Sequence, residues 1–178
     1  MNQKALKEVF QKAMDTIKAD PKNASMPFHT KTELVEGVKC SAQVRDFPPM
    51  TVDEPPEMGG TNAGVNPGEL LLIALGTCQE IMYSACAALM DIPLNKVTIN
   101  VKGDLDLRGL LGMDDSVPAG FSSIYYETTI DSDADEDALK KLVEVAESHC
   151  PLLDTLRRPV DVRGTVSIRK SGKITKIS

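Results

Sequence analysis

The sequence predicts an α+β domain in which antiparallel strands and shorter helices surround one long, buried helix. Three observations lead to this fold class. Apolar residues recur at helical spacing in residues 3–18 and 133–149, they alternate with polar residues in 96–107 and 121–130, and they fill nearly every position of 69–90. The resulting order is a helix, a strand-rich region, the long helix, two strands with a loop over 108–120 between them, a helix and a final strand over 160–170. This is an α+β arrangement.

Length, composition and net charge favour a globular protein and disfavour several other classes of protein. A chain of 178 residues with 42% apolar and 26% charged residues suits one globular domain. The net charge of −6 disfavours nucleic-acid binding. The charged N-terminal stretch is unlike a secretory signal, and the longest apolar run, residues 70–75, is too short for a bilayer. We therefore expect a cytoplasmic protein without a membrane partner, in which the cysteines are reactive or buried instead of forming a permanent disulfide framework.

The first part of the chain divides into an extension and the start of a domain. The amphipathic N-terminal helix ends at Pro21, and we expect residues 1–28 to form a helical extension packed on a domain of residues 29–178. In that domain, Gly37 lies between two extended stretches, which indicates a hairpin. The proline-bracketed stretch 50–54 is an edge strand at best.

A clear start signal precedes the long helix. Asn66 suits the N-cap, Pro67 suits the first helical position, and Glu69 completes a capping box three residues after Asn66. The residues that follow, ELLLIALGTCQEIMYSACAALM, are apolar on nearly every face, which predicts burial on nearly every side. A domain of this size can hardly surround such a helix alone, so we expect an intertwined homodimer that buries it between subunits.

Two cysteines stand out by their positions. Cys78 lies inside the long helix, where a free cysteine often packs as a small hydrophobe. Cys150 precedes Pro151, which suits the first position of a helix, so Cys150 can be an N-cap whose thiolate the positive helix end stabilises. The alternative is that Cys150 merely ends a helix in a packed corner. The local pattern alone favours that alternative.

Several motifs together resemble the OsmC/Ohr family, which includes osmotically inducible protein C and the organic hydroperoxide resistance proteins. They are GGTNAGVNPGELLLIALGTC, which places Cys78 nine residues after Glu69, then GDLDLRG, then AGF at the start of a strand, and HCPLLDTL around Cys150. The resemblance extends over about residues 30–169, and Glu after NPx is usual in a less characterised OsmC-like branch. It implies an OsmC-like domain with antiparallel sheets and a central helix.

The resemblance also implies a mechanism. Cys78 corresponds to a peroxidatic thiolate that attacks a small peroxide and becomes a sulfenic acid. Cys150 corresponds to the thiol that condenses with it to a disulfide, which a dithiol reductant, lipoylated in the best-known branch, then reduces. Burial in an apolar helix raises the pKa of a thiol, so a nearby cation is needed to stabilise the Cys78 thiolate. The family uses an arginine from the strands before the helix, and Arg45 is the only arginine before residue 108. A strand-end surface charge is the alternative reading of Arg45, and no cofactor is expected.

One position departs from the peroxidase members and leaves other functions open. Those members hold the arginine with a carboxylate directly after Asn-Pro, where this chain has Gly68, and Glu69 is about 100° further around the helix. The first alternative is a dimeric module that binds an apolar small molecule. The second is a metal site of Cys78, Cys150 and His149, which lacks CxxC or HExxH spacing.

Overall fold

The computed structural model describes residues 2–171 and 173–177 of one chain. In those residues, five α-helices, two short 3₁₀ helices (Pro21–Ala24 and Pro56–Met58) and seven strands follow one another in an α+β order. The helices are α1 (Gln3–Ala19), α2 (Pro67–Leu89), α3 (Leu107–Leu110), α4 (Glu136–Ser148) and α5 (Pro151–Arg157). The strands are β1 (Lys31–Glu36), β2 (Lys39–Gln43), β3 (Met50–Val52), β4 (Lys96–Leu105), β5 (Phe121–Asp131), β6 (Val166–Lys170) and β7 (Lys173–Ile177). All strand pairs are antiparallel, which confirms the predicted fold class.

The long helix α2 begins as the sequence predicts. Asn66 Oδ1 accepts a hydrogen bond from the Glu69 backbone N–H at 2.8 Å, and Glu69 Oε2 accepts one from the Asn66 N–H at 2.8 Å. These reciprocal bonds form the capping box and pair two N–H groups that have no intrahelical partner. The helix ends at Leu89, before Asp91 adopts a φ of 56°.

The core lies between α2, the β4–β5 ribbon and α4. Alternate residues of both strands are half-buried on the side that α2 covers. Gly76 permits the close approach of α2 to β4, because a Cβ at this position would lie 3.2 Å from Val101 Cγ2. On the other side of α2, Leu142 and Ala146 of α4 pack against Tyr83. Together these contacts bury the C-terminal half of α2.

The sequence predicts that α2 is buried on nearly every side, but within one chain this burial is incomplete. Ile73 remains 48% exposed and Ile81 62% exposed. The strands β1 and β6 are exposed along their whole length. By length and composition, α2 is long and apolar enough to span a membrane, although its longest uninterrupted apolar run, residues 70–75, is too short. This is weak support for a membrane span, since core helices of soluble proteins meet the same criterion.

The N-terminal helix is packed on the rest of the chain, and two regions differ from the sequence prediction. α1 packs against the end of α2, where Gln3 Nε2 donates to the Ile92 carbonyl at 2.8 Å and Lys7 pairs with Asp91. The final strand predicted over 160–170 begins only at Val166, and a further strand, β7, pairs with it. The predicted loop after β4 contains the single-turn helix α3.

Candidate functional site

The fold brings Cys78 and Cys150 together. Cys150 is 0% exposed and forms a buried cluster with Leu75 of α2 and Leu153 of α5. The half-buried side chain of Cys78 packs against this cluster, and its thiol is next to the Cys150 side chain. Both cysteines are free thiols. The pair therefore lies at the junction of α2 and α5, with one thiol partly accessible and the other enclosed.

Burial raises the pKa of the Cys78 thiol, and the neighbouring Cys150 side chain raises it further. The backbone N–H of Leu152 opposes this shift by hydrogen bonding to the Cys78 sulfur. Leu152 is the second residue of α5, so its N–H has no intrahelical partner. The chain thus directs one helix-end donor at Cys78, and this donor is weaker than the burial it opposes.

The N-terminal end of α5 contains Cys150 and contacts Cys78. Cys150 does occupy the N-cap position of α5, with φ −75° and ψ 111°, as predicted. Its side chain makes no cap hydrogen bond and is buried with Leu75 and Leu153. The N–H of Leu152 in the first turn interacts with Cys78 instead. One backbone N–H at this helix end therefore lowers the pKa of Cys78, against the effect of burial.

Arg45 lies in the turn that follows β2. It adopts a φ of 48°, its side chain is exposed, and its guanidinium carbon lies 4.7 Å from the centre of the Phe47 ring. Gln43 Nε2 holds the turn by donating to the carbonyls of Arg45 at 2.8 Å and Phe47 at 2.6 Å. The groups that act on the Cys78 thiol are Leu152 and Cys150, and neither is a cation. One chain does not unite Arg45 with the cysteine pair.

A cation that the sequence reasoning missed is Arg157, in the last turn of α5. Its Nη2 donates to Tyr126 Oη at 3.2 Å, and Tyr126 packs against the cysteine cluster. Burial and the carboxylate of Glu147 raise the pKa of Tyr126, and the Arg157 charge opposes that shift. The available signal was the position of Arg157 in the short helix that Cys150 begins.

An apolar groove of ≈ 520 Å³ lies beside the cysteine cluster, between α2, β5 and α5. Four of its lining residues also belong to that cluster: Leu75, Ile124, Tyr126 and Leu153. Arg157, Ser122 and Ser123 supply polar groups at the groove wall. Such an arrangement suits a small molecule with an apolar body and one polar end.

A family model described as OsmC-like protein matches residues 60–164, which include both cysteines. The chain belongs to the OsmC-like family. This confirms the resemblance inferred from the motifs around Asn66 and Cys150.

Relatives of known name and structure agree with this assignment. The chain is 28% identical to a hydroperoxide reductase of Mycoplasma genitalium over 105 residues, which are 59% of this chain and 71% of that protein. It is similar to the crystal structure of an OsmC-like protein from Mycoplasma pneumoniae, with a TM-score of 0.65, 23% identity, and coverage of 75% of this chain and 89% of the other. An organic hydroperoxide resistance protein of Legionella pneumophila gives a TM-score of 0.57, 20% identity, and coverage of 75% and 92%. At these identities the two structures support the fold alone.

Gly68 of this OsmC-like chain lies against an aromatic ring. A Cβ at this position would lie 3.3 Å from Phe121 Cζ. The neighbouring carboxylate, Glu69, bonds to the backbone of Asn66 at the helix N-terminus. The capping role preferred for Glu69 is therefore confirmed, and the space beside Gly68 is filled by hydrocarbon.

Three buried polar groups belong to α2 and β5, in the interface that α2 forms with the sheet and with α4. Within the described residues, the amide of Gln79 and the hydroxyls of Tyr83 and Thr128 have no partner in hydrogen-bond geometry. Gln79 and Tyr83 are each 1% exposed. Burial raises the pKa of Tyr83 to about 12, with a further contribution from the Glu147 charge. Unpaired buried polar groups are costly, which makes this interface a candidate position for ordered water.

The metal alternative gains no support from the part of the chain that the structure describes. It contains no group of three His, Cys, Asp or Glu side chains that could hold a metal ion. His149 caps α4 with its side chain exposed, and its Nδ1 lies 2.9 Å from the Val145 carbonyl oxygen. The remaining cysteines are Cys86, which is buried in the core, and Cys40, which is half-buried in β2.

Proposed function

We propose that this OsmC-like protein is a cytoplasmic, two-cysteine peroxidase that reduces small organic or hydrogen peroxides. The observation that supports it most is the contact of Cys78 with Cys150 beside an apolar groove. Membership of the family, with a relative named hydroperoxide reductase, supports a peroxide-related redox role. The partners in this proposal are a second copy of the chain, the peroxide and a dithiol or lipoylated reductant, without nucleic acid or membrane.

The first step takes place on Cys78. Its thiolate attacks the terminal oxygen of ROOH, the O–O bond breaks, and RO⁻ leaves and takes up a proton to become the alcohol ROH. Cys78 is then a sulfenic acid, oxidised by two electrons. The Leu152 N–H favours the attacking thiolate, and half-burial of Cys78 gives the peroxide access while limiting contact with water.

The second and third steps restore the dithiol. Cys150 loses its proton and attacks the Cys78 sulfur, the S–O bond breaks, and the departing hydroxide leaves as water once protonated. The Cys78–Cys150 disulfide then exchanges with a dithiol reductant, which becomes oxidised as both thiols return. The proximity of the side chains fits this sequence, because disulfide formation requires Cα atoms within about 7 Å.

The counter-charge for Cys78 is proposed to come from a second copy of the chain. Arg45 lies in an exposed turn after β2, and the neighbouring strand β1 is exposed along its whole length in a single chain. The exposed apolar residues Ile73 and Ile81 of α2 also need a covering surface. An intertwined homodimer satisfies both needs, and it places the Arg45 assignment between chains.

Sedimentation velocity at micromolar concentration tests the dimer, and a stable monomer would contradict it. Ile81→Glu should dissociate the dimer while the monomer stays folded, because the side chain is 62% exposed in one chain. Met26→Glu is the matched control, since Met26 is 74% exposed and lies outside the matched family region. Equal dissociation by both variants would argue against α2 as the interface.

Trapping the sulfenic acid tests the chemistry. With a stoichiometric alkyl hydroperoxide, Cys78→Ser should consume no peroxide, whereas Cys150→Ser should react once and leave Cys78 as a sulfenic acid that a dimedone-type probe labels. Cys86→Ala is the control, because Cys86 lies on the same helix but in the opposite core cluster. Labelling of Cys150 in the Cys78→Ser protein at an unchanged rate would reverse the roles.

A second function remains, namely a dimeric module that binds an apolar small molecule with little or no peroxidase activity. Two observations favour it: the hydrocarbon beside Gly68, and the raised pKa of Cys78, caused by burial, with only a backbone N–H to oppose it. If neither thiol reacts with peroxide faster than free cysteine, this function replaces the first.

A further inference from the structure

Phe121 lies where two apolar grooves meet. The first is the ≈ 520 Å³ groove beside the cysteine cluster, named the cysteine-side groove here and lined on α2 by Leu71 and Leu75. The second, the loop-side groove, has a volume of ≈ 620 Å³ and is lined by residues including Gly68, Leu72 and Leu110. Among the described lining residues, Phe121 is the one that both grooves share. The residue therefore separates the two spaces.

Two glycines hold the ring of Phe121 in place. A Cβ at Gly103 of β4 would lie 2.6 Å from Cε1 of the ring, so the ring covers the bare backbone of the neighbouring strand. A Cβ at Gly68 would lie 3.3 Å from Cζ, so the ring also abuts the first turn of α2. A side chain at Gly103 would displace the ring, and one at Gly68 would crowd it. The chain thus leaves space for this ring at the two positions it touches.

The ring lies at the far end of the cysteine-side groove from the cysteines. The groove contacts α2 at Leu71 and Leu75, and Cys78 follows Leu75 by one turn. Leu71 and Cys78 are seven residues apart, which corresponds to about 10 Å along the helix axis. A linear ligand with its reactive end at Cys78 would therefore direct its tail along α2 towards Phe121.

We propose that Phe121 is an end-stop that limits the length of the alkyl tail that the cysteine-side groove accepts. This inference rests on the proposed function for the identity of the ligand, a straight-chain alkyl hydroperoxide. Each methylene that enters an apolar site strengthens binding about fourfold. Affinity should rise along a homologous series until the tail reaches the ring, and then stop rising. Removing the ring joins the two grooves and moves the limit to longer tails.

The kinetic test measures kcat/KM for straight-chain hydroperoxides from propyl to dodecyl. In the wild-type protein, kcat/KM should increase with tail length and then level off or fall. Phe121→Ala should extend the increase to longer tails, by about fourfold per added methylene. Phe121→Leu, which keeps more of the hydrocarbon, should give an intermediate limit. Phe28→Ala is the control, because Phe28 is 88% exposed and lines neither groove.

A binding measurement separates failure of this inference from failure of the proposed function. Cys78→Ser, alone and with Phe121→Ala, is titrated calorimetrically with primary alcohols of the same tail lengths, which are the products of the reaction. A longer limit in the double variant supports the end-stop even if the protein turns over no peroxide. The same limit in both proteins, or no binding of any alcohol, overturns the end-stop even if peroxide is consumed. If Phe121→Ala does not fold, the comparison is made with Phe121→Leu.

Discussion

Replacing Glu69 separates a capping role from a catalytic one. Both capping-box hydrogen bonds measure 2.8 Å: the Asn66 side chain accepts one and the Glu69 carboxylate accepts the other. The Glu69 carboxylate also lies at the positive end of α2. Glu69→Ala loses one charge-assisted hydrogen bond and the interaction with the helix dipole, which together are worth about 1 kcal/mol. Glu69→Gln keeps the hydrogen bond, so the free energy of unfolding should fall by only about 0.5 kcal/mol. Asn66→Ala should lose about 1 kcal/mol, because it removes the other bond.

The assay is urea unfolding at one protomer concentration, combined with the rate at which Cys78 reacts with an alkyl hydroperoxide. A loss of about 1 kcal/mol corresponds to about 2–4 °C in Tm for a chain of this size. The rate of Cys78 should stay within about twofold in all three variants, because a capping contribution of about 1 kcal/mol acts on folding and not on the thiol. A Glu69→Gln protein of wild-type stability that reacts at least about tenfold more slowly, a barrier increase of about 1.4 kcal/mol, would refute the capping assignment.

Three further perturbations test other parts of the site. Arg45→Ala should slow the reaction of Cys78 at pH 7 by about tenfold, because burial raises the pKa of this thiol and removing a cation leaves less of it as thiolate at neutrality; stopped-flow rates equal to wild type from pH 6 to 9 would exclude Arg45. Tyr83→Phe should leave the free energy of unfolding unchanged or raise it by up to about 1 kcal/mol, because its hydroxyl is buried without a described partner; a loss above about 1 kcal/mol in urea unfolding would indicate an ordered partner. Asp53 accepts hydrogen bonds from Ala63, Thr61 and Glu54, which lower its pKa to about 2, so it stabilises the folded state above the carboxyl's ordinary pKa of about 3.9 and loses that contribution as pH falls towards 2. Asp53→Asn should flatten this acid-side decline in a Tm series, and a decline as steep as that of wild type would count against it.

The parts of the fold that depend on local signals could be predicted from the sequence. The capping residues Asn66 and Glu69 and the alternation along β4 and β5 act within a few residues, and the structure has these elements with nearly the expected bounds. The strand β7 was missed because the prediction ended at Lys170. Burial of α2 was overestimated for one chain because an apolar sequence requires a covering surface without saying which chain supplies it.

The site could be predicted only in part, for reasons of tertiary packing. Local pattern alone favoured a structural role for Cys150, and only the distant motifs considered together paired it with Cys78. The Leu152 N–H directed at Cys78 and the hydrogen bond of Arg157 to Tyr126 depend on how α5 packs against α2 and β5, which no local pattern encodes. The filling of the space at Gly68 by Phe121 depends in the same way on a contact between distant residues.

The central claim is that Cys78 and Cys150 form one redox pair. Peptide mass spectrometry under non-reducing conditions, after addition of one equivalent of an alkyl hydroperoxide to the reduced protein, tests it most directly. The account predicts a peptide pair joined through Cys78 and Cys150, formed in step with peroxide loss and returned to free thiols by a dithiol. Two results would contradict it. In the first, peroxide is consumed and Cys78 is oxidised to sulfinic acid while Cys150 stays a free thiol. In the second, the disulfide forms through Cys86 or Cys40.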